Sequence, residues 1–587
     1  MRLRKTLFIP ILSLSLLPLA GCKREPDPLP PAVGQLLQQT LETETLPASI
    51  RDQKERLRAW EEMRGFYEKR GYQLAWSDAG GPLPRAEELL QAIPGLGVEG
   101  LAPRRYQPAR LEALRKEVEA IESFDDPEAQ RRLVDLDVEL TYTFLSLASH
   151  LSNGLLHPET LRVEWYTKPR NVDLDARLEA ALAQDGELRK TLQSFSPPHP
   201  DYDRLQQALA RSKEIAAKGG WPAVPEGEEL KEGATGPRVA ALRTRLAATG
   251  DLPARPEDKT KAEPAPVFDA ALASAVSRFQ QRHGLEVTGT VDEGTLAELN
   301  VPVAERIRQL QLNMERWRWM PASLGDRYIL VNVPEFHMRL IEGGRTALEM
   351  RVVVGKDQSR TPAFSDRMTY LELNPEWNVP ASIVNEEILP ALQKNPGYLA
   401  SHDMEVVRGW GDDEEVVDAS MIHQIGSGSS EYRVRQRPGA GNPLGQVKFM
   451  FPNEFNIYLH DTPADHLFDR AERGFSHGCI RLEKPLGLAR YLLRGDPKWT
   501  PEAVQATVAS GEHVSIPLPK PLPVHILYWT AWVDASGTVQ FRNDVYGHDA
   551  TLAEALAGEP PVWIDPAALR GEVRAEGPRE ERAGQGA

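Results

Sequence analysis

The stretch FSHGCIRL, residues 475–482, holds one of only two cysteines in a chain of 587 residues. The other, Cys22, follows MRLRK and the apolar run TLFIPILSLSLLPLA. A basic segment, an apolar segment and small residues before a cut are the layout of a secretory signal. The apolar run is shorter than the roughly 20 residues that a membrane span takes. An exported chain exposes its thiols to oxidation. Cys479 therefore needs either burial as a small hydrophobe or a chemical task. Its neighbours decide which.

Upstream of the cysteine, FNIYLH (455–460) alternates like a strand and ends in His460. From about residue 327 the whole chain reads with a period of two. RYILVNVPEFHMRLIEGGRTALEMRVVVGK predicts three strands with a hairpin turn at Gly343-Gly344. MTYLELNPEWNVP and KFMFPNEFNIYLHDTP continue the pattern. Residues 381–435 between them revert to helix and loop, which predicts a mobile inserted lid. After about residue 500 the chain regains strand character, with a turn at Ser536-Gly537.

The first half is helical. ERLRAWEEMRGFYEKRGY, RRLVDLDVELTYTFLSLASHLSNG and YDRLQQALARSKEIAAKGG repeat apolar residues at spacings of three and four. No catalytic cluster stands out there. Residues 228–300 form a separate unit. LKEGATGPRVAALRTRL puts Val239, Leu242 and Leu246 on one helical face. Asp269 is an N-cap candidate before Leu272, Val276 and Phe279, and Asp292 caps a short third helix. A Pro-rich insertion separates the first two of these helices.

The set His460, Ser476-His477-Gly478-Cys479-Ile480-Arg481 and the upstream NPEWNVP (374–380) resembles the signature of the L,D-transpeptidases, cysteine-dependent enzymes that crosslink the bacterial cell wall. The 228–300 unit, with L-K-x-G-x-x-G, A-V-x-x-F-Q, G-L, G and D-x-x-T, resembles the three-helix peptidoglycan-binding module. Leu19-Ala20-Gly21-Cys22 resembles a lipobox. The resemblance implies an α+β multi-domain chain: a helical scaffold domain, the three-helix module and a mainly-β, β-sandwich-like, YkuD-like catalytic domain with an inserted lid. The expected boundaries are 1–21 signal peptide, 22–50 tether, 51–225 scaffold and 226–302 module. A linker helix (303–326), the catalytic domain (327–500, lid 381–435), a closing segment (501–550) and a largely disordered tail (551–587) follow.

In this family the cysteine attacks an amide carbon and a histidine takes its proton, which assigns Cys479 as nucleophile and His460 as base. The resemblance implies that a main-chain carbonyl, here that of Asp461, orients the histidine. The backbone around Gly478 and Cys479 is the candidate oxyanion hole, and Tyr458, on the face of His460, is a further donor. His477 shapes the turn or bonds near the thiol. Arg481, Ser476 and Trp377 are candidates to touch substrate, Ser476 also as a turn residue. Arg433, Arg435 and Arg437 at the end of the lid are candidates to grip acidic stem peptides. Zinc on His460, His466, His477 and Cys479 fits poorly, because structural zinc favours paired ligands at short fixed spacing. No metal or cofactor is expected.

The net charge of −16 argues against nucleic acid as a partner. The expected partners are peptidoglycan and a membrane reached through lipid on Cys22. The expected location is the periplasm, at the outer membrane of a Gram-negative bacterium. Two other readings stay open: a thiol hydrolase or L,D-carboxypeptidase with the same nucleophile, and a non-enzymatic wall-anchoring lipoprotein.

Overall fold

The computed structural model describes residues 29–571 apart from 44–45, 47–49, 51–53, 169, 185, 254–265, 426–430 and 560. Cys22 and the signal segment, most of the Pro-rich insertion and the GSGSS stretch lie outside the described residues. The described residues fall into two compact units, one within 29–90, 108–143 and 563–571, the other within 91–107 and 144–562. Among the described residues, no helix is long and apolar enough to cross a membrane.

The first unit is helical. Among the described residues its first element is a helix, Pro31–Leu41, inside the expected tether. Val33, Leu37 and Leu41 recur every fourth residue, so they share one face, and all three are buried. That correction extends to the tail: Pro566–Leu569 is helical, Ala567 and Leu569 are buried, and Arg570 pairs with buried Asp135 at 2.8 Å. At the centre, buried Asp137 accepts from the Tyr67 hydroxyl (2.6 Å) and from the backbone N–H groups of Ala75 (2.7 Å) and Trp76 (2.9 Å).

The second unit contains the three-helix module, Pro237–Ala248, Ala270–Arg282 and Glu293–Leu299. Asp269 and Asp292 accept from the N–H groups of Leu272 (2.9 Å) and Thr295 (2.7 Å), satisfying donors that a helix leaves open at its start. Leu242, Leu246, Leu272, Val276, Phe279 and Leu299 close the core. Truncating Phe279 to Ala there costs about 3–5 kcal/mol. The next helix, Val303–Arg318, is no linker, because Leu310 and every residue from Leu312 to Arg318 are buried. Its buried charges are paired: Arg316 with Asp549 (2.5 Å) and Arg318 with Glu315 (2.8 Å).

The strands that follow are β1 (Arg327–Asn332), β2 (His337–Glu342), β3 (Arg345–Gly355), β4 (Ala363–Leu373) and β5 (Trp377–Val379). Next come β6 (Met404–Arg408), β7 (Glu415–Val417), β8 (Tyr432–Gln436), β9 (Val447–Met450) and β10 (Leu459–His460). Then come β11 (Gly474–Ser476), β12 (Ile480–Leu482) and β13 (Val514–Leu527), and a separate two-stranded hairpin, Ala531–Val533 with Val539–Phe541, follows. The order β9-β10-β12-β3-β2-β1-β13-β4 returns to β9, which pairs with β4, so the strands form a closed circuit. Closure leaves few unpaired edges. The C-terminal β13 lies inside this circuit between β1 and β4. The helix His548–Gly558 extends order into the expected tail.

The inserted segment differs from the helix-and-loop expectation. β5, β6, β7 and β8 make a four-stranded antiparallel sheet, ordered β7-β6-β8-β5. Val379, Val384, Ile388, Leu399, Val406, Ile422, Ile425 and Val434 give it a hydrophobic core of its own. It therefore starts at β5, before the expected boundary, and is a small folded body.

Candidate active site

β10 and β12 run parallel, with Leu459 opposite Ile480 and His460 opposite Arg481. This register sets His460 beside the residue pair that follows Cys479. On the other side β9 places Lys448 opposite His460. Laterally paired residues share a face of a sheet, so Lys448, His460 and Arg481 form one row.

His460 is buried, and its Nδ1 lies 2.5 Å from the Asp461 carbonyl oxygen. A carbonyl only accepts, so Nδ1 carries the hydrogen and Nε2 keeps its lone pair. Burial first, and then the charges of Arg481 and Lys448, push the His460 pKa down to about 3. The resting imidazole is therefore neutral and in the form that takes a proton. The Asp461 carboxylate is engaged elsewhere, accepting from the N–H groups of Gln446 and Thr462, each at 2.7 Å.

Cys479 is a free, partly exposed thiol whose Sγ lies 3.7 Å from the Asn456 carbonyl oxygen. Burial pushes the thiol pKa up. The backbone N–H and the hydroxyl of Tyr458, with the charges of Lys448 and Arg481, pull against it. Burial and the neighbouring Cys479 push the Tyr458 pKa up, and the adjacent Trp377 side chain pulls against them. The Tyr458 ring lies 5.6 Å from that of His460, with Lys448 Nζ 4.6 Å from the Tyr458 centroid.

The turn into Cys479 needs glycine. Gly478 has φ +112°, and an added Cβ would come within 3.3 Å of Ile457. Ser476 Oγ accepts from the Gly478 N–H (3.1 Å) and donates to the Cys479 carbonyl (2.5 Å). Thr361 Oγ1 donates to the Gly478 carbonyl at 2.6 Å. Among the described residues, the Cys479 N–H meets no acceptor. Of the two amides expected to stabilise an oxyanion, that of Gly478 is already spent and that of Cys479 is open. Ser476 is 2 % exposed and bonded on both sides, so it braces the turn and does not face substrate.

His477 points to the inserted body, its Nε2 lying 3.0 Å from Glu387 Oε1. Arg481 keeps its Nε buried without a partner. The lid arginines are not free to grip peptide. Arg433 pairs with Glu414, Arg435 with Glu405, Glu414 and Glu376, and Arg437 with Glu405 at 2.6 Å. Their charges hold the inserted sheet together. His466 is exposed on the turn Asp465–Asp469, and no cluster of three metal-ligating side chains occurs among the described residues. Lys448, Asn456 and Thr361 escaped the sequence reading. Lys448 was visible only as an alternating position in KFMF, and the other two carry no local signal.

Comparison with known families matches residues 326–501 to the L,D-transpeptidase catalytic domain. The chain carries an L,D-transpeptidase catalytic domain. Residues 61–209 match a scaffold domain and 235–299 a "Putative peptidoglycan binding domain". A Haemophilus influenzae protein named "Putative L,D-transpeptidase" is 35% identical over 246 residues, 42% of this chain and 49% of that protein. The chain thus spans about half the length of this curated relative. Two solved structures are also similar. The L,D-transpeptidase of Xylanimonas cellulosilytica is 16% identical (52% of this chain, 99% of that one, TM-score 0.17). An Ldtfm–avibactam carbamoyl enzyme is 13% identical (55% and 98%, TM-score 0.15).

Proposed function

We infer that this L,D-transpeptidase domain works through a Cys479 thioester and crosslinks peptidoglycan stem peptides. One observation carries the reading: the β10–β12 register sets a carbonyl-oriented His460 beside the strand that leads out of Cys479, whose thiol is free and whose backbone N–H is unspent among the described residues. The thiol gives its proton to His460 Nε2 as sulfur attacks the carbonyl of the third stem residue, a diamino acid. The oxyanion meets the Cys479 N–H, in a site where fixed donors count for more than in water. The C–N bond breaks, His460 returns the proton to the amine, and D-alanine leaves. The side-chain amine of a second stem then attacks the thioester, its proton passes through His460, and the thiol is regenerated. A stem carboxylate resting on Arg481 offsets the cation that depresses His460 and so raises its basicity.

The same thiol serves a hydrolase or L,D-carboxypeptidase if water is the acceptor, and a carbapenem-type β-lactam would acylate it. The module at 235–299 concentrates the enzyme on the wall, and lipid on Cys22 tethers it to a membrane, proposed as the periplasmic face of the outer membrane. Joint engagement adds affinity without new contacts. The test incubates the chain with tetrapeptide muropeptide and weighs the products by mass spectrometry. A dimer lacking one D-alanine is expected. Cleaved monomer alone would move the assignment to the hydrolase, and wall binding without turnover would reduce the chain to an anchor.

A further inference from the structure

The carbonyl of Gly478 is held by a chain of groups that begins outside the matched catalytic region. Tyr546 belongs to the C-terminal segment, beyond residue 501 where the family match ends. Its hydroxyl donates to the Gly355 carbonyl (2.6 Å) and accepts from the Thr361 N–H (3.3 Å). The Thr361 hydroxyl accepts from the Gly355 N–H (2.9 Å), which leaves its only proton for the Gly478 carbonyl (2.6 Å). The polarity of the chain is therefore fixed. Gly355 cannot be larger, since an added Cβ would overlap the Ser359 carbonyl at 2.1 Å. Pro362 follows Thr361 and narrows its backbone to extended angles. Tyr546 is itself seated, its N–H donating to the Tyr528 hydroxyl (2.8 Å), which donates to Asp544 (2.7 Å). Thr361 and Tyr546 are both buried.

In a trans peptide the C=O and N–H point in opposite directions. Pinning the Gly478 oxygen on one side therefore aims the Cys479 N–H to the other. Gly478 is the residue least able to hold that peptide by itself, because glycine tolerates both signs of φ. We propose that Thr361, seated by Tyr546, is a positioning residue that locks the Gly478–Cys479 peptide with its N–H turned toward the oxyanion. The proposal rests on Cys479 as the acyl-transfer nucleophile. It makes the C-terminal segment part of the catalytic apparatus as well as of the sheet.

The test measures two reactions of Cys479 in the full chain. Acyl transfer from tetrapeptide stem passes through an oxyanion; alkylation by iodoacetamide displaces iodide and forms none. Thr361→Val keeps the shape and removes the hydroxyl. The expected result is a kcat lowered about a hundredfold, the scale of a misplaced catalytic group. KM and the alkylation rate stay unchanged, and Thr361→Ser restores kcat. Tyr546→Phe gives a smaller loss with the same split. A Thr361→Val enzyme with wild-type kcat would overturn the proposal. So would acylation and alkylation falling together, or a Thr361→Ser variant as impaired as Thr361→Val. Wild-type chain that alkylates yet never transfers acyl groups would instead sink the functional reading beneath it.

Discussion

The helical unit and the catalytic circuit each bury an ionisable group, and they treat it in opposite ways. Around Asp137 each oxygen is met, by Tyr67, Ala75 and Trp76. Burial raises its pKa to about 6. Around Cys479 the contacts are looser, with Sγ 3.7 Å from the Asn456 carbonyl, and among the described residues the Cys479 N–H and the His460 Nε2 lone pair meet no hydrogen-bond partner. A satisfied buried network specifies a fold. An unsatisfied one carries an energetic penalty that chemistry can relieve. The difference separates scaffold from site within one chain.

Changes at the two centres should diverge most in activity. Cys479→Ala should reduce acyl transfer to background while the thermal midpoint stays near wild type. Muropeptide turnover that survives in this variant would end the contrast. Asp137→Ala should do the reverse. Stranding the backbone N–H groups of Ala75 and Trp76 costs about 3 kcal/mol, read as a lower urea midpoint with the activity of the remaining folded enzyme intact.

The pH dependence sharpens the comparison. His460 has a folded pKa near 3 against an ordinary 6.5, so the unfolded chain holds more protons between those values and stability rises with pH there. Asp137 has a folded pKa near 6 against 3.8, so the native state holds more protons and stability falls as pH rises through that window. Each contributes a slope of up to about 1.4 kcal/mol per pH unit, with opposite signs. Amide hydrogen exchange in each unit should show the two slopes separately. His460→Gln should flatten only the rising one, and Asp137→Asn only the falling one; a variant that altered both would show that the two groups do not titrate independently.

The smallest effect is expected at the inserted sheet. Arg437 is exposed but already paired with Glu405, so Arg437→Ala should change KM for stem peptide by less than about threefold, as for exposed ion pairs worth under about 1 kcal/mol. A tenfold rise would restore it as a substrate contact.

The candidate nucleophile, its proposed base and the strand pattern were legible because their signals are local: FSHGCIRL is one short stretch, and His460 ends an alternating run. The three module helices were legible for the same reason, through caps and periodicity. What stayed hidden depends on partners distant in the chain. Arg433 and Arg435 read as free charges until Glu405 and Glu414 folded against them. Ser476 read both as a substrate contact and as a turn residue, and the partners of its hydroxyl, the Gly478 N–H and the Cys479 carbonyl, favour the turn. Thr361 acquires its role only when β11 pairs with β3 and brings Gly478 beside it. Pro31–Leu41 was missed because its polar residues and flanking prolines mask a narrow apolar stripe.

That short helix has a consequence for reach. A fully extended tether from residue 22 to 50 would give the enzyme a leash of about 100 Å. With Pro31–Leu41 seated by its buried face, the contour of chain between residue 22 and that helix is at most about 30 Å. Under the proposed anchor on Cys22 the enzyme would then patrol a thin shell close to its membrane, and the wall strands it could serve would be those within that stand-off.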